Sequence, residues 1–274
     1  NLTATTTAGL IVRWYDVPSG GTALANSTPI TAAQDTLYVE EAQFNPRFGW
    51  RTVSNRVPVI VMVNPTPANV VATTDKAVCN NSTVAAVNFS TTNTVGATTY
   101  AWTNNKTSIG LAASGTGNIA SFTAVNNGTA PDTATIIVTP TFANGGTNCV
   151  GTKDTIYVVL NPTAKINAIA DKVECNGSVV VATMPTSTAT GGTVTYTWTN
   201  NTTSIGLAAS GTGNIPSFTA TNTGSTAITS TIIVTPTFTN GGVSCVGTND
   251  TFNITINPPP IFAATTDKYV CNAS

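Results

Sequence analysis

The run VTYTWTNNTTSIGLAASGTGNI, Val194 to Ile215, decides the fold. Its first part alternates: Val194, Tyr196 and Trp198 fall on one face and threonines on the other, the period of a half-buried β-strand. Its last thirteen residues, TSIGLAASGTGNI from Thr203, recur unchanged from Thr107 to Ile119. The glycines have the G-x-x-x-x-G spacing of a phosphate-binding loop, but such a loop needs Lys and then Ser/Thr after the second glycine. Thr116 and Thr212 stand in the Lys place, so no nucleotide site is read. Ile109, Leu111 and Ile119 are apolar, whereas Gly110, Gly115, Gly117 and Asn118 suit tight turns with positive φ. The stretch therefore reads as a connection crossing between two sheets, its aliphatic side chains plugging the core. A loop repeated for avidity is the sharper alternative.

The duplication extends well beyond this string. DKAVCN at Asp75, DKVECN at Asp171 and DKYVCN at Asp267 stand 96 residues apart, and Trp102/Trp198 and Cys149/Cys245 keep that interval. Residues 75–170 align with 171–266 without a gap and match at more than half the positions. Two copies of one module are present, and a third begins at 267. The expected domains are an Ig-like segment over 1–66 lacking its opening strand, repeats over 67–162 and 163–258, and the start of a third repeat over 259–274. An N-terminus with neither initiator Met nor leader anatomy fits a piece of a longer chain.

Within each copy the strands alternate. TIYVVLN turns Ile156, Val158 and Leu160 inward, TFNITIN does so with Phe252, Ile254 and Ile256, and TIIVTPTF with Ile232, Val234 and Phe238. Pro236 cannot donate to a ladder, so its strand is expected at a sheet edge or at a bulge. No stretch reads as a helix. The fold class expected is all-β, tandem immunoglobulin-like β-sandwiches arranged as an extended rod, with Pro-bearing linkers at Asn64-Pro65-Thr66-Pro67, Asn161-Pro162 and Asn257-Pro258-Pro259-Pro260 stiffening the junctions.

The five cysteines follow the repeat. Cys79 and Cys149 are 70 residues apart, as are Cys175 and Cys245, while Cys271 opens the third copy. The spacing predicts disulfides Cys79–Cys149 and Cys175–Cys245, with Cys271 pairing beyond residue 274, and hence an oxidising, extracellular setting.

Composition narrows function. Charged residues make up 8 % of the chain and the formal net charge is −1, which removes the electrostatic basis for binding nucleic acid or an anionic membrane. Threonine is the commonest residue, 56 of 274. No apolar run is long enough to span a bilayer, so no membrane insertion is expected. Histidine is absent, which eliminates Ser-His-Asp and Cys-His catalysis and the commonest zinc ligand sets. No catalytic residue and no cofactor are read.

The string YTWTNNTTSIGLAASGTGNIPSFTATN, followed by TIIVTPTF, NGGVSCVGT and a closing NP, resembles the PKD-like Ig-type domains of secreted Bacteroidota proteins. The first segment, IVRWYDVPSGGTAL…TLYVEEA…VPVIVMVNP, resembles a second Ig-like module of the same proteins, but FNPRFGWR (44–51) stands where that module carries a cysteine-containing turn. The resemblance implies a segment of a very large cell-surface adhesin, of the gliding-motility type exported by type IX secretion, whose partners are an unidentified surface ligand or glycan and the neighbouring domains of its own chain. The alternative is a set of non-catalytic accessory domains of a secreted polysaccharide- or protein-degrading enzyme.

Three further groups of residues are candidate sites. Asp75, Asp171 and Asp267 lie at domain junctions, where calcium binds in some extracellular repeats. Carboxylates are few there, Glu174, Asp154 and Asp250 being the nearest reinforcements, and a capping or ion-pair role is the simpler expectation. Asp35-Thr36, Asp132-Thr133, Asp154-Thr155 and Asp250-Thr251 resemble Bacteroidota O-glycosylation acceptors at Thr36, Thr133, Thr155 and Thr251. All four arginines, Arg13, Arg47, Arg51 and Arg56, fall in the first segment with Glu40, Glu41, Trp14 and Trp50. A buried Trp14 with surface Arg/Glu pairs is expected there, against a glycan-binding alternative.

Overall fold

The protein was analysed as a computed structural model, which describes residues 11–25, 34–67, 74–93, 96–262 and 267. Cys271 and Lys268 lie outside the described residues. The chain divides into two compact units, one formed by 1–71, 90–101 and 139–153, the other by 72–89, 102–138 and 154–274.

In the first unit β1 (Ile11–Tyr15), β3 (Gly49–Thr52) and β4 (Val57–Met62) all pair antiparallel with the long β2 (Gln34–Asn45). Trp14, Tyr15, Leu37 and Ala42 are buried apolar residues of this sheet.

Each repeat contributes eight strands. In the first copy they are β5 (Lys76–Cys79), β6 (Thr83–Val84), β7 (Ala97–Asn104), β8 (Ser114–Thr116), β9 (Phe122–Thr123), β10 (Asp132–Asn144), β11 (Thr147–Val150) and β12 (Asp154–Asn161). In the second they are β13 (Lys172–Cys175), β14 (Val179–Val180), β15 (Thr193–Asn200), β16 (Ser210–Thr212), β17 (Phe218–Thr219), β18 (Ile228–Asn240), β19 (Val243–Val246) and β20 (Asp250–Asn257). The second copy forms a large sheet of order β13-β20-β18-β15-β16, with β19 also on β18, and a small sheet β14-β17; the first copy repeats both. The opening strand β13 runs parallel to the closing strand β20, while the other pairings in the sheet are antiparallel. The two copies are all-β, Ig-like sandwiches, and among the described residues their only helical segments are single 3-10 turns at Thr107–Ile109 and Thr203–Ile205.

The alternating residues face inward as read. Trp198, Ile232, Val234, Phe252, Ile254 and Ile256 close one core with Ile205, Leu207 and Ile215 from the shared string. Full burial of each such aliphatic stabilises by about 1.5–3 kcal/mol, so the repeated connection contributes to the core as much as a strand does.

The glycines shared by the two copies of that string divide by task. Gly206 ends the 3-10 turn at φ +99°, and a Cβ there would stand 2.3 Å from the Thr219 carbonyl oxygen; Gly110 does the same in the first copy. Gly211 lies flat on the Trp198 indole, where a Cβ would stand 2.3 Å from the ring. Close packing leaves no room for a methyl group there. Gly211→Ala is therefore expected to cost about 1–3 kcal/mol, whereas the same change at Gly177, whose Cβ position is open, tests backbone conformation alone. Urea denaturation of the two variants measures the difference, and a Gly211→Ala protein as stable as wild type would remove the packing explanation.

Pro236 corrects the edge alternative of its expectation. Its strand, β18, is central, flanked by β15 on one side and by β20 and β19 on the other. Pairing with β20 stops at Val234↔Asp250 and pairing with β19 starts at Thr237↔Val246, so the proline falls where β18 changes partner. Its carbonyl still accepts from Gly247 N at 2.8 Å. A missing N–H is tolerated because no ladder position on that side requires it.

Candidate functional site

The chemistry of this chain gathers at the junction between the two copies, and it corrects the expected disulfides. Cys79 is bonded to Cys245 of the next copy, with their Cα atoms 5.5 Å apart, and Cys149 and Cys175 carry free thiols. Strand register explains why the pairing within one copy fails. Cys175 stands opposite Asn257, one step past the Ile228↔Ile256 pair, at one end of β18, whereas Cys245 stands opposite Phe238, towards the other end. Roughly ten residues of strand at about 3.3 Å each separate the two levels, and a disulfide needs Cα atoms within about 7 Å. The opening cysteine and the hairpin cysteine of the second copy sit at opposite ends of one sandwich, and Cys245 meets its partner across the junction.

The hairpin that presents Cys245 is built for this. Asn240-Gly241-Gly242-Val243 closes β18 on β19 through two glycines at φ +59° and +74°, the two-residue turn that matches strand twist. Asn161, the last residue of β12, is buried against it. Its amide donates to the Asn240 carbonyl at 3.0 Å, and the Asn240 amide donates back to Asn161 Oδ1 at 3.0 Å. Beyond it, Thr248 N donates to the Ala164 carbonyl at 2.8 Å, and a Cβ on Gly247 would stand 2.2 Å from that same oxygen. Loop contacts add Thr190 N to the Thr129 carbonyl at 2.8 Å. Within the first unit the same clasp recurs: the Asn64 amide donates to the Asn144 carbonyl and the Asn144 amide to Asn64 Oδ1, each at 2.9 Å.

The junction aspartates serve as backbone acceptors. Asp75 Oδ1 accepts from Tyr157 N at 2.9 Å and Asp171 Oδ1 from Asn253 N at 2.7 Å, each tying the residue before an opening strand to the closing strand beside it. Asp250 Oδ2 accepts from Ile169 N at 2.9 Å. Asp267 is exposed. The hydrogen bonds give Asp75 and Asp171 a capping role.

Burial disfavours the charge on Lys172 and lowers its pKa, Glu174 opposing this; its ammonium donates to the Val181 carbonyl at 2.7 Å. Lys106 pairs with Asp132. Thr133, Thr155 and Thr251 are exposed on strand faces, and Thr36 is half-buried.

In the first segment the expected surface Arg/Glu pairing is replaced by a buried one. Glu40 accepts from the Tyr15 hydroxyl at 2.6 Å, from Thr52 Oγ1 at 3.0 Å and from Arg56 Nε at 3.2 Å. Arg56 also donates to the Val17 and Gly20 carbonyls and lies over the Tyr15 ring at 3.3 Å. Trp14 is buried as expected, whereas Trp50 is half exposed, edge-on to Phe44 at 5.1 Å and 5.9 Å from the Arg13 guanidinium.

Sequence reasoning missed the interior asparagines. Asn126 and Asn222 are buried, and each amide donates to the closing strand, to the Leu160 and Ile256 carbonyls at 2.7 Å. Asn104 and Asn200 do the same for the connection, donating to the Leu111 and Leu207 carbonyls. Their invariance between the copies was the available signal, obscured by an Asn-rich composition.

The sequence matches no protein-family profile and no curated protein. Among solved structures, mouse cadherin-23 EC22-24 is 10 % identical with a TM-score of 0.40, over 91 % of this chain and 86 % of that one. A mutated three-Ig segment of titin is 10 % identical with a TM-score of 0.39, over 93 % and 89 %. Sidekick-1 immunoglobulin domains 1-4 are 14 % identical with a TM-score of 0.34, over 90 % and 68 %.

Proposed function

We propose that this chain is a structural and adhesive segment of a large extracellular surface protein, with no catalytic activity of its own. The covalent bond from the opening strand of one repeat to the hairpin of the next carries this reading. A disulfide presupposes an oxidising compartment, and its place between modules, rather than inside one, gives it a role in holding successive modules together. The finer reading, a stalk of the gliding-adhesin type exported by type IX secretion and meeting a surface ligand or glycan, rests on the sequence resemblance.

An antibody raised against 171–266 tests both levels. A very large band, with label on intact unpermeabilised cells, is the expected result. A modest soluble secreted band would overturn the stalk reading in favour of accessory domains of a secreted enzyme, and assay of the flanking polypeptide for hydrolase activity would follow.

Glycosylation belongs to the same proposal. Thr133, Thr155 and Thr251 are exposed, and an O-glycan there would cover and solubilise an open strand face. Peptide mass spectrometry on native material is expected to find hexose-bearing peptides at these threonines; bare threonines at all three would remove the idea.

A further inference from the structure

Cys175 stands in the second copy where Cys79 stands in the first, and the surroundings are repeated with it. Cys79 pairs in register with Asn161, and Asn80 N donates to the Asn161 carbonyl at 2.9 Å; Cys175 pairs with Asn257, and Asn176 N donates to the Asn257 carbonyl at 2.9 Å. In the first copy this socket is filled. Cys79 is bonded, Asn161 clasps Asn240, and Ala77 lies 3.8 Å from where a Cβ on Gly241 would be. In the second copy no described residue fills it: the Cys175 thiol is exposed, Val173, the counterpart of Ala77, is 66 % exposed, and the half-buried Asn257 side chain makes no hydrogen bond among the described residues.

We propose that Cys175, Val173 and Asn257 form a docking socket for the Asn-Gly-Gly-x-x-Cys hairpin of a following copy of the module, closed by a disulfide from Cys175 to that hairpin's cysteine. This deepens the structural reading above and rests on it. The occupant is specified by the filled socket in the same molecule: a hairpin with Asn at its first corner to clasp Asn257, two glycines to pass over Val173, and a cysteine five residues after the Asn, the spacing of Asn240 to Cys245. Bond formation takes one hydrogen from each thiol, and the two electrons and two protons reduce a small-molecule or protein disulfide to its dithiol.

The offset has a mechanical consequence. Each bridge spans 166 residues while the repeat is 96 long, so consecutive bridges overlap. In an array stapled this way, every stretch between the first and last bridged cysteines lies inside at least one covalent loop, and a repeat that unfolds under tension cannot pay out its full contour. The Cys149 hairpin carries the Asn64–Asn144 clasp in place of a bridge among the described residues.

The test uses the chain as given and an extended chain, residues 1–266 followed by 171–274, each oxidised in a glutathione redox buffer, alkylated without reduction and mapped by non-reducing peptide mass spectrometry. In the chain as given, Cys149 and Cys175 are expected to take label while Cys79 and Cys245 remain joined. In the extended chain, Cys175 is expected to lose its label and appear joined to the hairpin cysteine of the added copy, and Cys175→Ser to return that cysteine to the labelled pool. Cys175 still labelled beside an intact Cys79–Cys245 bridge would overturn the socket and leave the structural reading standing. Cys175 joined to Cys149 of a second molecule would also overturn it. Loss of the Cys79–Cys245 bridge itself would overturn both.

Discussion

Reducing the Cys79–Cys245 bond, or replacing Cys79 by Ser, is expected to lower the melting temperature of the second compact unit by roughly 10–20 °C. The bond closes a loop of 166 residues. In the chain-entropy model that removes freedom from the unfolded chain equivalent to roughly 5 kcal/mol, and about 2–4 °C per kcal/mol is usual for a unit of this size. Cys79 is the better residue to change because Cys245 is almost fully buried and its thiol can stay in place. The loop encloses most of both copies, so its loss should also uncouple them, one cooperative calorimetric transition becoming two. Wild type with reductant and Cys79→Ser without it should coincide, while a Cys149→Ser/Cys175→Ser double variant should melt as wild type does. A melting curve indifferent to reductant would show that the asparagine clasp and the Ala164 contacts hold the junction unaided.

The same bond shows where sequence reading reached and where it stopped. Alternation in VTYTWTN and TFNITIN located the core, because facing is local and has a period of two residues. The glycine-rich connection was legible for the same reason: its aliphatic residues and turn glycines are close together in the chain. Cysteine pairing is not local. Equal intervals of 70 residues within a copy suggested a bond within it, but an interval is equally consistent with any translation of the repeat, and only register along β18 shows that the two cysteines of one copy lie at opposite ends. The edge reading of Pro236 failed for a related reason. The rule that proline occupies edges concerns a missing N–H, and a central strand can satisfy it wherever its partner changes. Buried asparagines and a buried glutamate were invisible because a polar residue announces burial only through its partners, and several of these are distant in sequence, as Thr52 is from Glu40 and Leu160 from Asn126.

Glu40→Ala should be the most damaging single substitution in the first segment, costing about 3–5 kcal/mol, the usual result of removing one partner of a buried ion pair. The variant leaves the Arg56 guanidinium, itself largely buried, with only the Val17 and Gly20 carbonyls and the Tyr15 ring, and leaves the Tyr15 hydroxyl without an acceptor. Burial by itself would raise the Glu40 pKa, but the hydrogen bonds from Tyr15, Arg56 and Thr52 outweigh it, and the carboxyl titrates below its ordinary value of 4.5. Tyr15 is shifted upward, by burial and then by its bond to Glu40. A carboxyl whose folded pKa is depressed contributes stability that is fully present above the unfolded value and is lost as pH falls through the folded one. Acid destabilisation of the first unit should therefore begin near pH 4.5 and deepen below it, at a pH where no histidine contributes because the chain has none. Urea titrations followed by hydrogen exchange of the β1, β2 and β4 amides at pH 7 and pH 3 measure this directly. Glu40→Gln keeps the shape and removes the titration, so it should be less stable than wild type at pH 7 and lose less on acidification. Equal losses in the two proteins would assign the acid response to other carboxylates, and a Glu40→Ala protein within about 1 kcal/mol of wild type would mean that water replaces the carboxylate around Arg56 at little cost.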